Sequence, residues 1–199
     1  MVYSNAFPKI DLYLKRLFDI FFSILLLIVL SPVILFLFIL IYLFDNGKFI
    51  HWSKRIGKNN KVFLMPKIRT MKLSTPDVAT HLLKKEDTYI TNIGKILRKT
   101  SLDEIPQLYS ILLGDMSFVG PRPALFNQFD LINLRTKKKI HLLVPGITGL
   151  AQINGRDLLS IDEKVLYDNE YLIKRSFFFD IKIIIITIVK IFTSKEITH

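Results

Sequence analysis

The sequence predicts a helix-rich α/β membrane protein, in which one long apolar helix anchors a compact basic unit that carries a small sheet. Three observations point there. Ile20 to Phe44 is a run of 25 residues without a charge, enough at about 1.5 Å per residue to reach across a hydrocarbon core of roughly 30 Å. Half of the 199 residues are hydrophobic, with 16 Phe, yet the net charge is +11; a soluble nucleic-acid-binding domain or a disordered chain does not combine these. Two short extended stretches flank the turn-like Lys58-Asn59-Asn60 soon after the run. The length suits one domain with an appended segment. The expected division is an anchor over residues 1–47, helical from about 15 to 44, and a second unit over 48–199.

The run reads IFFSILLLIVLSPVILFLFILIYLF, interrupted only by Ser23, Ser31 and Pro32. It exceeds the h-region of a cleaved signal peptide, about 7 to 15 residues, and no small-x-small site follows. Lys9, Lys15 and Arg16 precede it, and Lys48, Lys54, Arg55, Lys58 and Lys61 follow. The positive-inside rule therefore favours the cytoplasmic side for both ends. A helix broken at Ser31-Pro32 satisfies that: Pro32 lacks an N–H and clashes with the carbonyl of residue 28, while the Ser31 hydroxyl can satisfy a freed carbonyl. A single-pass helix that tolerates its proline is equally compatible with these residues.

Phe49–Gly57 and Lys61–Met71 read as a hairpin near the membrane surface. Residues 72–90 read as loop and then a short helix, and Ala124 to about His141 as a helix ending in Lys137-Lys138-Lys139, which suits a helix C-terminus. Ser160 and Glu163 have capping-box spacing and open a further helix. Near the C-terminus, Ser176 to Phe192 is apolar but broken by Asp180, Lys182 and Lys190. It is too short between charges to span and reads as an interfacial helix with snorkelling lysines, a core helix or buried strand being the alternative.

Absent residue types narrow the chemistry. Zero cysteines exclude disulfides, thiol nucleophiles, iron–sulfur clusters and Cys-based zinc sites, and the four His are scattered. Glycines 114, 120, 146, 149 and 155 suit phosphate-cradling turns but form neither a Walker A nor a Rossmann pattern. Ser101 and Glu104 have capping-box spacing, which gives the pair Asp103-Glu104 an ordinary structural explanation. Pro106 and the nearby Lys95, Arg98 and Lys99 argue against it. Carboxylates beside cations suit a phosphorylated substrate sharing Mg2+ with one or two acids, and an aspartate there can attack phosphorus. Arg122, between two prolines, Arg98, Arg156, Arg69 and Lys67 are the candidate phosphate ligands.

KRLFD (15–19), the Ser31-Pro32 break, RIG (55–57), KIRTM (67–71), LRKTSLDEIPQL (97–108), GDMSFVGPRP (114–123), PGITGLAQINGR (145–156) and SFFFDIKI (176–183) occur in one order. Together they resemble the bacterial sugar transferases, or monotopic phosphoglycosyl transferases, over residues 9–192. Departures are Ile68 where an aromatic is common, Lys72-Leu73-Ser74 in place of acidic residues, and Leu150 where Trp or Leu is common. None touches Asp103-Glu104.

The resemblance implies a monotopic protein, held in the cytoplasmic leaflet of the bacterial inner membrane by a re-entrant helix broken at Ser31-Pro32. It implies transfer of a sugar 1-phosphate from a UDP-sugar to undecaprenyl phosphate, with release of UMP. Asp103 would be the nucleophile and Glu104 its Mg2+ partner, so that both acids hold the metal. Arg98, Arg122 and Arg156 would contact phosphates, and Lys15 and Arg16 lipid headgroups. A homodimer is also consistent with the family. The contrasting expectation is a non-catalytic basic scaffold on anionic lipid, which leaves Asp103-Glu104 unexplained. Nucleic acid is not expected as a partner, because the aromatics lie in apolar runs and not among the basic residues.

Overall fold

The computed structural model describes residues 9–45, 48–72, 74–75, 89–155 and 158–193. Helix α1 spans Lys9–Asp45 as one assigned helix that contains Pro32. The break expected at Ser31-Pro32 therefore falls inside one helical segment, where a proline is accommodated by bending the axis and not by ending the helix. The proline's effect is local: the Ser31 hydroxyl donates to the Ile28 carbonyl at 2.8 Å, the carbonyl that Pro32 leaves without its N–H. At 37 residues the helix is about 55 Å long. It is the one described helix apolar and long enough to cross a membrane, and most of its surface is exposed.

One stripe of α1 meets the rest of the protein, at the three- and four-residue spacing of a helix face. Lys15, Asp19, Ser23, Leu26, Leu27, Leu30, Ile34, Leu37 and Ile41 lie on it. Asp19, Ser23, Leu37 and Ile41 are buried. Both ends of the helix thus contact the same globular unit.

The hairpin forms as expected. Strands β1 (Ile50–Ile56) and β2 (Val62–Ile68) pair antiparallel, with Ile56 opposite Val62 and His51 opposite Lys67. Asn59 and Asn60 adopt left-handed φ of 57° and 58° in the connecting turn, where Asn is the best-suited residue after Gly. A second pair, β3 (Ser117–Val119) and β4 (Gly146–Thr148), is parallel and separate from the first.

Between the sheets lie α2 (Asn92–Thr100), a 3-10 turn (Leu102–Glu104) and α3 (Gln107–Leu113). Thr91 caps α2 by accepting from Gly94 N–H at 3.0 Å. A Cβ on Gly94 would lie 2.1 Å from the Thr70 carbonyl oxygen, so only glycine lets α2 approach the end of β2.

Helix α4 covers Phe129–Lys137, shorter than the expected helix from Ala124. The Ala124 carbonyl accepts from Ile56 N–H, and the Gln128 side chain accepts from Leu125 N–H. These bonds commit residues 124–128 to the hairpin edge and a turn. After a 3-10 turn at Ile140–Leu142 come α5 (Leu150–Ile153), α6 (Ile161–Lys174) and α7 (Phe177–Thr193). The capping box of Ser160 and Glu163 opens α6 as expected. The C-terminal apolar segment is a helix, so the strand alternative fails. One side of α7 buries Asp180 and Ile183, and Phe178, Ile185, Ile188, Val189 and Ile191 stay exposed. The short helix expected within residues 72–90 falls largely outside the described residues.

Three apolar clusters result. One joins α4, α6 and α7 around Leu131, Val165, Tyr171 and Ile183. Two lie under α1, centred on Ile111 and Met116 and on Ile68 and Leu97. Gly94→Ala is expected to destabilise the fold by about 1–3 kcal/mol, since α2 must retreat from Thr70. Thermal unfolding in detergent checks this, and an unchanged midpoint would show that the contact is dispensable.

Candidate active site

The acidic pair lies where two helices are prevented from merging. Helix α2 ends at Ser101, which adopts a left-handed φ of 55° and makes no side-chain cap. Pro106 then precedes α3, where its missing N–H costs nothing. The capping box suggested by Ser101 and Glu104 is absent, and the Glu104 side chain points elsewhere.

It points to cations. Glu104 Oε1 accepts from Lys67 Nζ at 2.9 Å and from Arg122 Nη2 at 3.1 Å. Lys67 Nζ is also 3.8 Å from Asp103 Oδ2. Strand β2 supplies Lys67, the 3-10 turn supplies both acids, and the loop after β3 supplies Arg122. The Asp103 carboxylate accepts no hydrogen bond among the described residues, although Asp103 is only 7% exposed. The two acids are thus unequal: Glu104 is anchored by two hydrogen bonds, whereas Asp103 has a looser ion pair from Lys67 to one oxygen.

Burial pushes the Asp103 carboxyl above the usual aspartate range. Lys67 opposes that shift, Glu104 adds to it, and Arg98 and Arg122 oppose it more weakly. Burial likewise pushes the Lys67 ammonium below the usual lysine range, with Glu104 opposing and Arg122 reinforcing.

The remaining expected residues divide. Arg98 Nε donates to Thr70 Oγ1 at 3.0 Å, and its charge acts on Asp103. Arg69 is buried at the end of β2, and its backbone N–H donates to the Phe49 carbonyl. Arg156 lies outside the described residues. Lys15 and Arg16 bind α1 to the protein. Lys15 Nζ donates to the Val119 carbonyl at 2.9 Å and to Asp180 at 2.5 Å. Arg16 donates from two nitrogens to the carbonyls of Ile111 and Leu112, at the C-terminal end of α3, both at 2.7 Å. Ser31 and Pro32 are exposed on α1.

Sequence reasoning missed the supports of the Arg122 loop. Arg55 Nη1 donates to the Pro123 carbonyl at 3.2 Å, and Arg135 Nη1 to the Arg122 carbonyl at 2.8 Å. Two of the glycines suited to phosphate-cradling turns serve close packing of backbones. A Cβ on Gly120 would meet the Val144 oxygen at 2.4 Å, and one on Gly146 would meet Gly120 N at 2.1 Å. They let the two loop backbones pack face to face, with Gly146 N–H donating to the Pro121 carbonyl at 3.0 Å.

Among the described residues no cluster of three or more His, Asp or Glu could hold a metal ion. Asp103 and Glu104 nevertheless suit a hard cation that takes its other ligands from substrate phosphate and water. The Lys67 ammonium already lies within reach of both carboxylates, which marks a place where positive charge is favoured.

The bacterial sugar transferase family model matches residues 10–194. The chain belongs to the bacterial sugar transferase family. Membership supports a general phosphoglycosyl-transfer function, and the one long, largely exposed apolar helix among the described residues is consistent with a monotopic, membrane-associated protein. It is 40% identical to an uncharacterized sugar transferase, EpsL, of Bacillus subtilis over 92% of this chain and 90% of that protein. It is 34% identical to an undecaprenyl-phosphate galactose phosphotransferase of Salmonella typhimurium, over 92% of this chain and 41% of that protein. The UDP-glucose:undecaprenyl-phosphate glucose-1-phosphate transferase of Escherichia coli is 35% identical over 98% of this chain and 43% of its own length. This bacterial sugar transferase thus spans less than half of the longer relatives.

In Lys67→Met the main opposing charge on Asp103 is gone, so its carboxyl should titrate at higher pH than in the wild type. Carbon-13 NMR of the labelled Asp103 carboxyl in detergent measures this. An unmoved or lowered midpoint would contradict the electrostatic account.

Proposed function

We propose that this chain transfers a sugar 1-phosphate from a UDP-sugar to undecaprenyl phosphate and releases UMP, by way of an aspartyl-phosphosugar intermediate. The observation that carries the reading is the inequality of the acids: a buried aspartate that accepts no hydrogen bond among the described residues and has a 3.8 Å ion pair to Lys67, beside a glutamate fixed by Lys67 and Arg122. A carboxylate held for structure alone would be hydrogen-bonded.

In the first step an Asp103 oxygen bonds to the β-phosphorus of the UDP-sugar. The bond from that phosphorus to the bridging oxygen breaks, and UMP departs with the electron pair. In the second step a phosphate oxygen of the lipid attacks the same phosphorus and displaces the Asp103 carboxylate, forming the diphosphate. Lys67 and Arg122 would turn towards the diphosphate charge as substrate enters, and Arg98, Arg69 and Arg156 are the further candidates for phosphate contact. Glu104 orients Asp103 and, with it, would hold Mg2+, which when bound supplies charge neutralisation on the diphosphate. A desolvated aspartate is the more nucleophilic once ionised, so its raised pKa suits the role.

The anchor reading is that α1 enters and leaves the membrane by the cytoplasmic leaflet of the bacterial inner membrane, with residues 48–199 on the cytoplasmic face. Its support is that both ends of α1 rest on one globular unit, through Lys15 and Asp19 at one end and Leu37 and Ile41 at the other. A transverse span would separate them by the bilayer thickness. Any headgroup contact by Lys15 or Arg16 would add to their internal bonds. The exposed apolar side of α7 would meet the interface or a second copy.

Purified protein in lipid particles, given Mg2+, undecaprenyl phosphate and a panel of UDP-sugars, should release UMP. Asp103→Asn should lose activity by about 10³-fold or more. No release with any UDP-sugar, or full activity in Asp103→Asn, would leave the scaffold reading. A radiolabelled UDP-sugar without acceptor should label Asp103, whereas direct transfer would leave it unlabelled. Asn5→Cys and Lys58→Cys should both react with an impermeant thiol reagent from the cytoplasm; labelling from opposite sides would restore the single-pass anchor.

A further inference from the structure

Arg135 lies on α4, outside the site, and is 9% exposed. Its Nε and Nη2 both donate to Asp168 Oδ2 on α6, at 2.9 and 2.6 Å, and Asp168 is 1% exposed. A buried ion pair of this kind is poor evidence for stability, since desolvation offsets most of its attraction. Its third donor shows where its geometry is used: Nη1 reaches the backbone carbonyl of Arg122. Fixing two guanidinium nitrogens on one carboxylate oxygen sets the direction of the third.

Val119 and Ala124 pin the two ends of the Arg122 loop in the core, but packing beneath its middle is incomplete. A cavity of about 30 Å³ lies under it, lined by Pro121, Pro123, Ala124, Arg135 and His141, with room for about one water. The Nδ1 of His141 is buried without a partner there. Between those buried ends, the Arg122 and Pro123 carbonyls are held by hydrogen bonds from Arg135 and Arg55.

We propose that Arg135, held by Asp168, is a positioning residue that sets Arg122 and through it the Glu104 carboxylate. The kinetic part of this inference rests on the phosphoglycosyl-transfer reading, and its structural part does not. It places control of the site in the α4–α6 cluster, which contains no residue of α1.

The test uses the full chain in lipid particles and the double variant Arg135→Gln/Asp168→Asn, which leaves no buried charge unpaired. Arg135→Lys, which keeps the charge but loses the fork, covers the case in which the double variant fails to fold. Three quantities are measured: hydrogen–deuterium exchange of residues 117–127, kcat for UMP release, and the thermal midpoint. Exchange across 117–127 should rise, and kcat should fall about 10- to 100-fold, as expected for a misplaced catalytic group. In an Arg122→Gln background the same substitutions should lower kcat by less than about twofold further, while the thermal midpoint drops as much as in the wild type. An equal kcat loss in both backgrounds, a thermal loss with unchanged kcat, or unchanged exchange would overturn the proposal. Wild-type protein that releases no UMP from any UDP-sugar would sink the functional reading alone, and the exchange result would still decide whether Arg135 restrains the loop.

Discussion

The site depends on charge compensation around one oxygen. Glu104 Oε1 takes both the Lys67 ammonium and the Arg122 guanidinium. Each of these groups comes from a different part of the chain. Two mostly buried acids in sequence would repel each other and resist ionisation, and the cations make the arrangement tolerable without bonding to Asp103. Losing either cation leaves a buried carboxylate poorly compensated, which is far more costly than losing a surface pair. The hairpin, the 3-10 turn and the β3–β4 pair can thus be read as three supports that must arrive at one point.

The anchor is wired into the same point. Helix α3 begins just after the acidic turn, and its last carbonyls accept from Arg16 of α1. Lys15 reaches Val119 and Asp180, Asp19 accepts from Phe118 N–H, and Tyr171 donates to Asp180 at 2.7 Å. Polar groups at the base of an apolar helix therefore fix its position on β3, the strand that leads into the Arg122 loop. The transfer proposed above, from a soluble donor to a lipid-borne acceptor, would need the acids at a set height relative to the leaflet, and these bonds would supply a rigid connection of that kind.

Ser101 shows how local strain serves the arrangement. A serine with positive φ is uncommon, and it interrupts α2 where a longer helix could have continued. The interruption exposes the next two side chains to the Lys67 side of the hairpin. The nearby Pro106 then restarts the helix, so the break costs little in hydrogen bonds.

Much was legible in the sequence because it depends on neighbours in the chain. The apolar run set α1, the Asn-rich turn set the hairpin, Ser160 and Glu163 set the start of α6, and the motif order pointed to Asp103 and Glu104. The start of α4 and the partners of Lys15 and Arg16 were not legible, because they depend on hydrogen bonds between residues about 70 to 165 positions apart. Nor were the roles of Gly120 and Gly146, which concern two backbones in contact, or of Arg135, which looks like any helical arginine until Asp168 and the Arg122 carbonyl surround it. The sequence by itself determined which chemical groups this protein has and which short segments carry them. Only the tertiary structure decided that Glu104 is the hydrogen-bonded acid and Asp103 the more loosely held one, because such partners are set by where distant segments meet.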